Sequence, residues 1–276
     1  MKTIVKLGIA KIAMPLFLIA NLSITCYAKS VSYQWDTRGE KNVKQSRKCH
    51  DTQLTLMPLG DMYYFAAKRN DENIIELLSP SIQVYFGTNI DGKGDPFAVI
   101  QTSGKGVYRL FVISIGKHAE VLNSLENKYG FWISNDSDGR TIQICTADGA
   151  FYKDKEICKI YRYELIVPTV FLGMKENKFV DETPRATKYC DSVVKATRDV
   201  LSAKEIDGFR DRKIKDEFSR GVIKGRILQI VLAYLYAGQE AKAQETLDKS
   251  WPPADKIRIW NWALNKRANG ILRKIR

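Results

Sequence analysis

Two histidines set the limit on proton-transfer chemistry in this chain of 276 residues. A Ser-His-Asp or Cys-His site needs an imidazole beside its nucleophile. His118 lies in Gly116-Lys117-His118-Ala119, which reads as a solvent-facing helix start. His50 follows Cys49, and an oxidised Cys49 offers no thiolate. Structural zinc needs four N/S ligands in closely spaced pairs, and Cys49-His50 is one pair without a second. Asn89 to Asp95 alternates oxygen-bearing side chains, but Lys93 stands at a ligand position and no acidic residue closes the loop. Asp136 and Asp138 also lack a closing glutamate, so both runs read as hairpin turns. Asp61, Glu72, Glu76, Glu120, Glu126, Asp148 and Glu164 could serve a carboxylate-based hydrolase, but their spacing selects no pair. No Gly-rich phosphate loop follows a strand. No catalytic residue, metal or cofactor is assigned.

Charge is the sharper signal. Residues 29–183 are electrically balanced, while residues 184–276 carry 21 Lys/Arg against 11 Asp/Glu. On a helix from Ala254, Ile257, Trp260, Leu264, Ala268, Ile271 and Ile275 fall on one stripe at steps of three or four. Lys256, Arg258, Lys266, Arg267, Arg273, Lys274 and Arg276 lie off it. A basic, Trp-bearing amphipathic helix suits an anionic partner. The candidate binding residues are therefore Lys256, Arg258, Trp260, Lys266, Arg267, Arg273 and Lys274. The partner is a protein or an anionic envelope surface, with peripheral membrane contact as one form. The lack of a groove-reading motif disfavours nucleic acid. Oligomeric state is left open.

The compartment is read from the first residues. Lys2, Lys6 and Lys11 precede an apolar run, Ile12 to Ile24, and Thr25-Cys26-Tyr27-Ala28 offers small residues for a cut after Ala28. That pattern is a secretory signal peptide over residues 1–28. The run is 13 residues long, and a membrane span needs roughly 20. Residues 23–25 make a poor lipobox before Cys26. The protein is expected in the periplasm or outside the cell. Cys49, Cys145, Cys158 and Cys190 then read as two disulfides. Cys145 with Cys158, and Cys49 with Cys190, is the pairing favoured among three.

The elements imply an α+β chain in two parts: a mixed α+β domain over 29–183 and a basic helical domain over 184–276. Strands are expected near residues 32–35, 54–56, 82–86, 107–115, 131–133, 141–145 and 160–167. Asp61, Asn70-Asp71 and Gly130 read as helix boundaries, giving helices over 61–66, 72–78 and 119–129. A helical pair followed by strands within residues 56–145 loosely resembles NTF2-like cone folds, which implies a bent sheet enclosing a small-ligand pocket. Helices are expected over 186–201, 203–211, 214–237, 240–251 and 254–275. Within them Tyr234, Gly238 and Ala243 keep the spacing of a tetratricopeptide repeat core. The stretch resembles one such repeat over about 30 residues. That resemblance implies a helical hairpin, since a solenoid needs about three copies. The leading reading is an exported binding protein acting through its helical domain. The alternatives are an exported hydrolase with a carboxylate site and an NTF2-like ligand pocket.

Overall fold

The chain makes its first turns tightly, and those turns set the architecture. Strands β2 (Gln45–Cys49), β3 (Thr52–Leu59), β4 (Met62–Arg69) and β5 (Glu72–Ser79) form one antiparallel sheet in sequence order. Only two residues join each pair. Asn70 and Asp71 both take positive φ (49° and 65°), the type I′ geometry whose twist matches flanking strands. The computed structural model describes residues 31–37, 44–88, 96–116, 118–135, 142–154, 156 and 167–275. The leader, Cys26, the loop at 89–95, Asp136 and Asp138, Cys158, and all but the last residue of the strand expected over 160–167 lie outside the described residues.

A second sheet pairs β1 (Val31–Asp36), β6 (Ser81–Thr88), β7 (Pro96–Gly104), β8 (Val107–Ser114) and β9 (Glu120–Asn127), in the order β1-β6-β7-β8-β9. A third pairs β10 (Phe131–Asn135), β11 (Ile142–Ala147), β12 (Thr169–Lys175) and β13 (Lys178–Asp181). The five-stranded sheet lies in the middle. Ala98 and Ile100 of β7 face the four-stranded sheet β2–β5 and pack with Leu54, Leu56 and Phe65. Phe97 and Val99, on its other face, pack with Ile144, Leu172 and the helices. Burial on both faces explains why β7 is almost continuously apolar.

Buried amides bind the layers. Gln83 donates to Asp36 at 2.9 Å, Gln101 donates to Gln83 at 2.5 Å, and the Phe131 N–H donates to Gln101. The chain crosses β1, β6, β7 and the start of β10, so the third sheet is held to the middle one by a satisfied polar network.

The helices follow a 3-10 turn at Thr183–Arg185: α1 (Thr187–Asp199), α2 (Ala203–Arg210), α3 (Glu217–Tyr236), α4 (Glu240–Ser250), α5 (Lys256–Asn269) and α6 (Ile271–Lys274). The fold is thus α+β, sheets first and helices after. Ser202 and Glu205 form a reciprocal capping box at the start of α2. Gly238, at φ 74°, ends α3: its N–H donates to the Leu235 carbonyl, and Gln239 N–H donates to that of Tyr234. Ala243 is fully buried where α4 crosses α3. Strands give way to helices at the Thr183 turn, yet one hydrophobic core runs from Phe97 to Leu272 and joins both parts.

Several expectations are corrected. Residues 61–66, 72–78 and 119–129 fall on β4, β5 and β9, so the segments that carried the helical pair of the cone-fold resemblance are strands. The last helix breaks at Gly270. Its buried face is also rotated: Ile259 and Ala263 are fully buried, while Ile257 is 78% exposed. Cys49 and Cys190 carry free thiols rather than a shared bridge. They sit on opposite sides of the middle sheet, Cys49 against the first core and Cys190 within the second. Cys145 is buried on β11, and its expected partner Cys158 lies outside the described residues.

Candidate functional site

The cations predicted to meet an anionic partner are largely engaged by the protein itself. Arg258 on α5 donates to Glu156 at 2.6 Å and to both Asp255 oxygens at 2.7 and 3.0 Å. Lys224 on α3 reaches the other Glu156 oxygen at 2.8 Å. Lys266 pairs with Asp154 at 2.5 Å and donates to the Ala150 carbonyl. Lys256 pairs with Asp248 at 3.4 Å, Lys274 donates to the Glu126 carbonyl, and Arg273 donates to Asn269. Arg267 and Trp260 are half-buried, Trp260 against the core. These contacts tie the segment after β11 to the helices instead of presenting a uniform basic face.

The acidic members of this strap titrate accordingly. Burial works to raise Glu156, and the hydrogen bonds and charges of Lys224 and Arg258 outweigh it, leaving the carboxyl below its ordinary range. Burial likewise opposes the Lys266 pairing at Asp154, and the pairing prevails. A depressed native pKa means the unfolded state binds more protons in acid. The stabilisation is therefore present above the ordinary carboxylate range and is lost as pH falls through the native pKa. Urea midpoints of the protein and its Glu156→Gln variant are expected to differ at about pH 7 and to converge towards about pH 3. A constant gap across that range counts against the strap.

The helices leave open a cleft of about 810 Å³ among α1, α2, α3 and α4. Pockets that hold ligands run roughly 300–1,000 Å³. Ile227, Ile230 and Tyr234 line it from α3, at the three-and-four spacing that puts them on one helix face. Leu201 and Ile206 add apolar wall. Three carboxylates also line the cleft, and each has a cation partner, Arg210 being shared between Asp207 and Asp211. Asp207 pairs with Arg210 at 3.0 Å, Glu245 with Lys249 at 2.5 Å, and Asp248 with Lys256.

Two cations remain. The Arg198 guanidinium lies 5.9 Å from the centre of the Tyr234 ring, and the Lys242 ammonium lies 5.7 Å from the same centre. Both side chains are exposed, and among the described residues neither makes an ion pair. The hydrogen bond and charge of Lys249 hold Glu245 below its ordinary range, and the charges of Arg198 and Lys242 add to that. About 6 Å from the buried Tyr234 ring the cleft thus offers two cations that make no ion pair. Sequence reasoning selected Tyr234 only as a repeat-like residue and passed over Arg198 and Lys242. Lys242 could have been found from the turn at Gly238, which folds it back towards Tyr234. Nothing in the sequence ties Arg198 to either.

The other candidate groups are scattered. His50 and His118 are exposed. Tyr64 donates to Glu76, Glu126 pairs with Arg109, and Asp61 and Glu72 lie at the two ends of β4. Glu120 opens β9, and Glu164 lies outside the described residues. Asp148 is fully buried and fully hydrogen-bonded. Among the described residues no group of three His, Cys, Asp or Glu could hold a metal ion, and no helix is long and apolar enough to cross a membrane. The chain matches no family model, no curated protein and no solved structure.

Proposed function

We propose that this is an exported, non-enzymatic binding protein whose helical part holds a polypeptide segment of a partner protein in the cleft among α1–α4. The observation that carries the reading is the pair Arg198 and Lys242, flanking Tyr234 without carboxylate partners. Export is supported by the leader-like residues 1–28. A flat anionic bilayer does not enter a concavity. The walls of this cleft also alternate sign, with Asp207, Glu245 and Asp248 among Arg198, Arg210, Lys242 and Lys249. That mixture complements a polypeptide better than a uniform polyanion.

Site-specific photo-crosslinking in the cells that make the protein tests this. A crosslinking residue at Thr246, which lines the cleft one turn along from Lys242, is expected to give a discrete protein adduct that disappears when Arg198→Glu is added. The same residue at Ile257, exposed on α5, is expected to give none. Equal adducts from both positions would sink the cleft as the site. So would undiminished sedimentation of R198E/K242E with phosphatidylglycerol vesicles that also carry down the unaltered protein, since binding would then belong to another surface.

A further inference from the structure

We infer that the segment held in the cleft carries an acidic side chain and a bulky apolar side chain two or three residues apart. The inference rests on reading the cleft as a polypeptide site. It follows from the polarity of the cleft along α3.

Tyr234 marks the cationic end, where Arg198 and Lys242 stand over the ring. Ile227 marks the other end. Arg226, next to it, donates to the Val200 carbonyl at 2.6 Å, which places the α1–α2 connection and its Leu201 at that end. Leu201 and Ile227 give this end an apolar lining, and Ile230 continues it along α3 towards Tyr234. Seven residues separate Ile227 from Tyr234, about 10 Å along the helix axis at ~1.5 Å per residue. An extended chain advances ~3.3 Å per residue with alternate side chains on one face, so residues i and i+2 lie about 7 Å apart on the same side. A polyproline II segment brings i and i+3 onto one face about 9 Å apart. Either span puts a carboxylate at the cationic end beside Tyr234 while an apolar side chain reaches towards Ile227 and Leu201. Asp207, Glu245 and Asp248 each pair with another cation, and of the three only Glu245 also feels the charges of Arg198 and Lys242, without an ion pair to either.

The test uses the full chain after export and synthetic peptides blocked at both ends, so that no terminal charge contributes. One set holds an Asp and a Phe two or three residues apart, in either order, in a Gly/Ser background. Control sets replace Asp by Asn, replace Phe by Ala, or move the two six residues apart. Binding is read by isothermal titration. The spaced peptides are expected to bind, and each control to weaken binding about tenfold or more, the equivalent of ~1.4 kcal/mol. R198E/K242E is expected to lose the spaced peptides to the same extent. Both positions are exposed, and an unchanged thermal melt shows that the variant folds.

Binding that survives removal of the Asp or the Phe, or ignores their spacing, overturns the inference. If a random blocked-peptide pool binds through Arg198 and Lys242 without that spacing, only this inference falls. If nothing in the pool binds, the polypeptide reading of the cleft falls with it. Self-association of the chain that R198E/K242E abolishes, with no peptide binding, assigns the cleft to a second copy and also overturns the inference.

Discussion

Asp148→Ala is expected to lower stability by about 3–5 kcal/mol, because it strands three buried neutral donors. Asp148 is fully buried just after β11, and one of its oxygens accepts from two backbone N–H groups, Ala150 at 2.9 Å and Ile271 at 3.1 Å. The other oxygen accepts the Tyr236 hydroxyl at 2.7 Å. One side chain thereby joins the third sheet, the end of α3 and the start of α6. Gly270 closes the site from the fourth side, where an added Cβ would collide with the carboxylate. Alanine at 148 strands three buried donors, each costing about 1–3 kcal/mol less whatever water recovers. In a protein of this size the melting temperature should fall on the order of 10 °C. Asp148→Asn is the discriminating control. Its amide oxygen can keep both backbone donors, and its NH2 can donate to Tyr236, whose hydroxyl turns to accept. It leaves the Tyr236 hydroxyl proton and one amide N–H without an acceptor, so a loss of about 1–3 kcal/mol, smaller than for alanine, is expected. Equal losses for Ala and Asn would show that charge, not hydrogen bonding, holds the junction.

The same carboxyl has a pH signature opposite to that of Glu156. Burial pushes Asp148 above its ordinary value, and Ala150, Tyr236, Ile271 and Lys274 pull back without prevailing. As pH rises through the unfolded carboxyl's range, the unfolded chain releases a proton that the native chain keeps. Stability therefore falls with rising pH until the native group ionises. Asp148→Asn removes this component, so its stability relative to the unaltered protein should improve as pH rises through that window. Denaturant midpoints at a series of pH values read the effect.

How much of this was legible in the sequence varies with the range over which each signal acts. Helix ends in the second part are local. Gly238 and the small Ala243 mark α3 and α4, and residues 203–211 and 240–251 match helices to within about a residue. The first part misled because its punctuation has two meanings. Asn70-Asp71 can precede a helix or make a two-residue hairpin turn, and here both residues take positive φ. Gly60-Asp61 joins β3 to β4 as another two-residue turn, with positive φ at Gly60 alone. The strands between them are chosen by pairing with neighbours and by burial against the middle sheet, and no window of ten residues contains that information. The cation cluster on α5 was visible, but its partners Asp154 and Glu156 lie about a hundred residues earlier. For that reason composition registered the excess charge and could not assign it. Arg198 and Lys242 are the converse case. They are ordinary surface cations in sequence and become distinctive only because the bundle brings them to one aromatic ring.

That bundle depends on Trp251, and Trp251→Ala is expected to cost about 3–5 kcal/mol, the range for truncating a large buried aromatic. The side chain is 1% exposed and sits just past the end of α4. It meets Phe209 of α2 edge-on, with ring centres 5.2 Å apart. Its indole N–H reaches Asp255 at 3.4 Å, a long contact at the rim whose loss adds little. The dominant penalty is the void between α2 and α4, the two helices whose Ile206, Lys249 and Ser250 line the cleft. Trp251→Phe keeps a ring against Phe209 and should cost clearly less. Comparing the two variants separates the scaffold from the site. Both should bind the cleft's ligand when fully folded at low temperature, and the alanine variant should lose binding together with its melting transition. Binding that outlasts the loss of helical signal in W251A would mean the ligand is not held by the bundle at all. The cleft would then be a consequence of how the helices pack, not the reason they pack that way.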